Sequence, residues 1–119
     1  MGMRERQEDG AFVQFCDMVF GIRALVILLR RYYVKYHLRT VRGIISRYAP
    51  EQENRTDVYM EYVAKSLGVA ADERIPSLDF CHELFDRSTL FRLCHAICWM
   101  ESRYELGEEE FGRALELCR

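Results

Sequence analysis

The stretch RYAPEQENRTDVY, residues 47–59, decides how the rest of the chain is read. Upstream of it, Val41, Ile44, Ile45 and Tyr48 recur at three- and four-residue steps, the spacing of one face of a helix. Ala49-Pro50 stops that pattern, because the residue before a proline avoids helical geometry. Downstream, Asn54 or Thr56 is placed to cap a new helix, and Asp57 falls in its first turn, where a negative charge meets the positive end of the dipole. Val58, Tyr59, Tyr62, Val63 and Leu67 form its apolar side, and Gly68 supplies the stop. One helix therefore ends and another begins within a few residues. The same letters hold Glu51, Glu53 and Asp57, and facing carboxyl groups are what glycoside cleavage uses.

Working towards the N-terminus, Thr40 caps the helix of Val41 to Tyr48. Before it, Val19, Ile22, Leu25, Val26, Leu29, Tyr33 and Tyr36 predict a long helix capped by Asp17, with Gly21 marking a close helix contact. AFVQF, residues 11–15, is short and alternating, as an extended segment under the helices would be. Residues 1–10 are polar and predict a flexible terminus ahead of a single helical domain over residues 11–119.

Towards the C-terminus, residues 69–77 read as a loop and LDFCHELF, residues 78–85, as a short helix. Ser88 is placed to cap a longer helix in which Leu90, Phe91, Leu93, Cys94, Ile97, Cys98 and Met100 leave little polar face, which makes it the centre of the core. LGEEEFGRALELC, residues 106–118, closes the chain as a helix with its glutamates in the first turn. The expected fold is all-α, a compact irregular or orthogonal bundle of five to six helices.

The 119 residues are 50% hydrophobic and 30% charged, which suits one globular domain with its own core. The longest apolar run, Ala24 to Leu29, falls far short of the roughly 20 residues that a bilayer crossing needs. With no basic-then-apolar leader, the expected location is the cytoplasm of a bacterial host or a virion, with no membrane partner. Five cysteines, Cys16, Cys81, Cys94, Cys98 and Cys118, are an odd number at irregular spacing, which favours reduced thiols over a disulfide framework. Cys81, His82, Cys94, His95 and Cys98 offer soft metal ligands within a short span, but Cys94 and Cys98 stand four apart on one helix face rather than in a zinc knuckle. Neither a metal nor a cofactor is expected.

Charge is distributed unevenly along the chain. Residues 1–48 hold nine basic and four acidic side chains, and residues 49–119 hold eight and fifteen. Arg23, Arg30, Arg31, Lys35, Arg39, Arg42 and Arg47 occupy a span without a single acid. They form a candidate basic face for an acidic protein partner or for nucleic acid. The opposing reading pairs them with the acidic second half of the same molecule, and the dominance of arginine over lysine suits such planar, bidentate pairing.

No nucleophile elbow, phosphate loop or dinucleotide fingerprint is present. Cys16, Cys81 and Cys94 lack any neighbour that would depress a thiol pKa, and His37 is accounted for by the carbonyl end of the first long helix. Glu53, in the turn, and Glu101, after the apolar Cys98-Trp99-Met100, are the alternative catalytic residues. Against that, Glu53 fits a turn network with Asn54 and Thr56, and Glu101 fits a pair with an arginine. No catalytic residue is favoured.

FVQFCDMVFGIRALVILLRRY followed by KYHLRTVRGIISRYAPEQENRTDVYMEYVAKSLGV resembles a group of phage and prophage proteins usually labelled virion structural protein. The resemblance rests on Phe12 and Phe15 before Gly21-Ile22-Arg23-Ala24, then Thr40, Ile44-Ile45, Arg47, Ala49-Pro50, Glu53-Asn54, Thr56, Tyr59, Val63 and Gly68, with Met100-Glu101 closing the apolar helix. It covers about residues 11–105 and implies a small helical phage protein, some of whose relatives look like lysozyme-like, peptidoglycan-processing domains. Longer members begin with an Asn-Asn-Pro-Gly-Asn-Ile-Arg stretch that this chain lacks. An acidic position two before the glycine of GIRA is Val19 here, and the turn carries Glu51 and Asn54-Arg55 in place of the group's usual residues.

Sequence therefore leads to a non-enzymatic phage or mobile-element protein that binds another protein, as a virion component or as an inhibitor of a host defence system. A small lysozyme-like hydrolase, possessing a remnant of that site, and a nucleic-acid binder are the alternatives. The reading leaves room for a homodimer.

Overall fold

The computed structural model describes residues 18–49 and 56–118, which form an all-α bundle of five irregularly packed helices. They are α1 (Met18–Val34), α2 (Val41–Tyr48), α3 (Thr56–Leu67), α4 (Arg87–Ser102) and α5 (Glu108–Cys118). The expected extended segment, the Asp17 cap, the N-terminal ten residues and Glu53 lie outside the described residues.

Helix α1 packs most extensively against α5, while α3 packs between α2 and α4. The buried residues of α1, Val19, Ile22, Leu25, Val26, Leu29, Tyr32 and Tyr33, follow the three-four spacing of an amphipathic helix. Two departures from the sequence reading mark where packing stops. Tyr36 lies past the end of α1 and is exposed, and Val58 sits on the solvent face of α3's first turn.

The helix ends explain why the chain turns where it does. Thr40 Oγ1 accepts the Gly43 amide at 3.1 Å, capping α2 as expected. Buried Thr56 donates its hydroxyl to the Ala49 carbonyl at 2.9 Å, fastening the start of α3 to the end of α2. Gly68, at φ 75°, takes the left-handed position after α3, and the Val69 amide reaches back to the Ala64 carbonyl at 3.1 Å. For α5, Glu110 Oε1 reaches back to the Gly107 amide at 3.3 Å, half of a capping box.

The cap of α4 is Asp86, not Ser88. Its carboxylate accepts the Ser88 amide at 3.2 Å and the Thr89 hydroxyl at 2.9 Å. A short aspartate reaches two donors at once, so it outcompetes a serine two residues on. α4 then runs with Leu90, Leu93, Cys94, Ala96, Ile97 and Cys98 fully buried, the central element expected of it.

The short helix expected over residues 78–85 is absent; the segment is a series of turns. Local side chains take the amides that a helix would need. Ser77 Oγ accepts the Asp79 amide at 3.1 Å, Asp79 Oδ1 the Cys81 amide at 3.0 Å and His82 Nδ1 the Leu84 amide at 3.0 Å. This connection is nonetheless part of the core, because its own Ile75, Leu78 and Phe80 are buried. It is tied to the first half of the chain by the Ile75 amide on the Arg39 carbonyl and the Arg42 amide on the Ala71 carbonyl, each 2.9 Å.

Candidate functional site

The structure divides the seven basic residues of the sequence reading into groups with different partners. Arg30 Nε donates to Asp79 Oδ1 at 2.6 Å and its guanidinium lies 5.3 Å from the Phe80 ring centre. Arg42 pairs with Asp72 through two nitrogens, the second at 3.1 Å. These two cations do what the opposing sequence reading required, neutralising acids of the second half. Arg23 serves a helix end: its Nε donates to the Leu117 carbonyl in the last turn of α5 at 3.4 Å.

The remaining four gather around the end of α1. Arg47, in the last turn of α2, stacks 4.2 Å from the Tyr36 ring centre and 5.7 Å from that of Tyr32. Lys35 Nζ stands 5.7 Å from the Tyr36 ring centre, and Arg39 lies 4.7 Å over Tyr33 while donating Nε to the Tyr33 carbonyl at 3.2 Å. Arg31 is exposed on the same last turn of α1. The result is a ridge in which cations rest on tyrosine faces, a favourable arrangement that also restrains long side chains in one place. Burial raises the Tyr32 phenol above its ordinary pKa, partly offset by Arg47, so the ring beneath the guanidinium stays neutral.

The ridge explains a turn the sequence did not announce. Just past the end of α1, His37 takes left-handed geometry at φ 56°, and the Leu38 amide reaches back to the Tyr32 carbonyl at 2.9 Å. That reversal brings α2 back across the end of α1 and sets Arg47 over Tyr36. The tyrosines were missed as functional candidates, although Tyr32 and Tyr36 stand one helical turn apart in sequence, the spacing that makes a stacking platform.

A second cluster forms where α2, α3 and α4 meet. The buried Tyr59 hydroxyl donates to Glu101 Oε2 at 2.9 Å. Burial first, and then the neighbouring Glu101 charge, push the phenols of Tyr48 and Tyr59 well above their ordinary range. Both hydroxyls therefore remain protonated, and Tyr59 acts as a fixed donor to the half-buried carboxylate. Among the described residues the side-chain partner of Glu101 is this tyrosine rather than an arginine. Of the two sequence candidates, only Glu101 falls among the described residues.

The thiols follow their burial. Cys94 is fully enclosed and its thiol is pushed well up by burial, while that of Cys98 is pushed up to about 12, again chiefly by burial. Cys81 is exposed in the connection before α4. Among the described residues no group of three His, Cys, Asp or Glu side chains is arranged to hold a metal ion, and no helix is long and apolar enough to cross a membrane.

The fold and these clusters define a small helical protein with a cation-tyrosine ridge at one helix junction and a tyrosine-carboxylate cluster at another. Among known proteins, the chain is similar to Protein P5 of Pseudoalteromonas phage PM2, with 42% identity over 74 residues. The matched segment is 62% of this chain and 46% of that protein, so the chain spans about half the length of the curated relative it matches. No family model matches the chain.

Proposed function

We propose that this is a phage or mobile-element protein that acts without catalysis, by binding a protein partner as a virion component. The observation that carries this reading is the ridge of Lys35 and Arg47 on Tyr36 and Tyr32, with Arg31 exposed on the last turn of the same helix as the tyrosine at its base, Tyr32. Arginine and tyrosine, with tryptophan, are enriched among the residues that dominate binding energy at protein interfaces, and stacking lowers the entropy lost when they dock. The similarity to a phage protein supports the setting. An acidic surface on the partner would complement the ridge and steer its approach.

The test is an immunoblot of density-purified virions, paired with capture of partners from uninfected host lysate by wild-type protein and by a Tyr36→Ala/Arg47→Ala double variant. Presence in virions, dependent on the two ridge residues, supports the structural role. A stoichiometric host partner with protein-free virions would favour the inhibitor reading of the same surface. Cell-wall clearing by the purified protein with neither form of binding would overturn both.

A second reading, a lysozyme-like hydrolase, is favoured by the Tyr59 to Glu101 hydrogen bond, which positions one carboxylate with a fixed donor. In that case Glu101→Gln abolishes lysis of a peptidoglycan substrate while the melting temperature holds.

A further inference from the structure

We infer that the cleft between the end of α1 and the connection preceding α4 is a binding site for a small oxyanion-bearing molecule, a phosphate or carboxylate carried on an apolar body. The cleft has a volume of about 510 Å³, within the range of small-molecule sites. Arg39, Arg74 and His82 supply donors around it, and Ile75, Pro76 and Leu84 supply an apolar wall.

The donors are available because their other obligations are limited. Arg39 uses Nε on the Tyr33 carbonyl and its face on the Tyr33 ring, which fixes the guanidinium while leaving terminal N–H groups. One of those terminal nitrogens lies 3.4 Å from His37 Nδ1. Arg74 is held through its backbone, paired with Thr40, and among the described residues its guanidinium has no carboxylate partner. His82 accepts the Leu84 amide at Nδ1, at 3.0 Å, so the proton of the neutral ring sits on Nε2 and makes that atom a donor.

The acids of the same connection are already engaged. Asp79, which lines the cleft, is held by Arg30 at 2.6 Å and by the Cys81 amide at 3.0 Å. Asp72 is paired with Arg42, and Glu73 Oε1 accepts the Ala70 amide at 3.0 Å. Glu83 is exposed and does not line the cleft. Beside that engaged Asp79, the lining offers two guanidinium groups and the imidazole of His82, planar donors suited to carboxylate and phosphate oxygens. Leu84, 72% exposed at the rim, gives the body of such a ligand something to rest against.

The experiment is an NMR titration of the full chain with phenyl phosphate, benzoate and inorganic phosphate, followed on backbone amides and the His82 ring. Saturable shifts confined to the segments around Arg39 and Arg74 to Leu84 are expected, with the phenyl-bearing probe of the preferred anion binding more tightly than inorganic phosphate. The order of phenyl phosphate and benzoate then separates the two anion sources. Arg74→Gln weakens binding about tenfold, the loss of one charge-assisted hydrogen bond. Arg92→Gln, which removes an equal charge from the exposed face of α4, leaves it unchanged. His82→Asn is the second variant should Arg74→Gln perturb the fold: an asparagine oxygen takes the place of Nδ1, keeps the Leu84 amide bonded and removes only the Nε2 donor. Non-saturable shifts, or equal weakening by Arg92→Gln, would overturn the site.

Discussion

Arg30 on α1 and Asp79 in the connection before α4 lie 49 positions apart and meet at 2.6 Å, with Phe80 beneath the guanidinium. Burial opposes the charged form of Asp79, but the bonds from Arg30 and the Cys81 amide outweigh it and hold the carboxyl below its ordinary pKa. A group whose folded pKa is depressed contributes stability that is complete above its unfolded value, near 3.9, and is lost as pH falls through the folded value. Asp79→Asn should therefore cost about 1 kcal/mol at neutral pH, discounted for the partial exposure of Arg30, and the difference from wild type should shrink in acid. Thermal melts at pH 7 and below pH 3 check it; an unchanged difference would show that the charge is not involved.

The connection between α3 and α4 has no regular structure, yet Leu78 within it is wholly buried. Leu78→Ala should destabilise by about 3 kcal/mol, in the range for a core leucine. Urea unfolding measures this. A loss below about 1 kcal/mol would mean that the segment only lies over the core.

Gly68 adopts φ 75°, and an added Cβ there would meet nothing within 4 Å. The cost of Gly68→Ala is thus conformational rather than steric, about 1 kcal/mol, with Gly68→Asn costing less because asparagine tolerates the left-handed region. Comparing the two variants by thermal denaturation separates backbone strain from packing.

Thiol labelling should sort the described cysteines by environment. Cys81 is exposed and should react with iodoacetamide in the native protein, whereas Cys94 and Cys98 are buried with raised pKa values and should react only after unfolding. Mass spectrometry of labelled peptides at pH 8 provides the readout. Native labelling of Cys94 would contradict the packing of α4.

Tyr59→Phe removes the donor to Glu101 and leaves a half-buried carboxylate without that bond. A stability loss of about 1 kcal/mol is expected and, if the proposed ridge is the interface, partner capture is unaffected. Loss of capture at full stability would move the interface to the α2, α3 and α4 junction.

Much of the helical plan is local and so was legible in the chain. Thr40 and Gly68 cap by contacts within a few residues, and the buried stripes of α1 and α4 follow from periodicity. The errors arose where local hydrogen bonds compete with a helix. Ser77, Asp79 and His82 turned residues 78–85 into successive turns despite their apolar content, and Asp86 rather than Ser88 captured the start of α4.

The site was less legible, because its pairings depend on distance in space. Sequence identified seven cations, and only the fold separated Arg30 and Arg42, neutralised by acids far along the chain, from Arg47 and Lys35, stacked on Tyr36. Tyr59 and Glu101 are 42 positions apart, and no spacing rule joins them. By itself the sequence determined the all-α class and most helix boundaries, since caps and periodicity act over a single turn. The tertiary structure alone decided which charges are neutralised by distant acids and which stack on tyrosines, because an ion pair forms only where packing brings its two ends together.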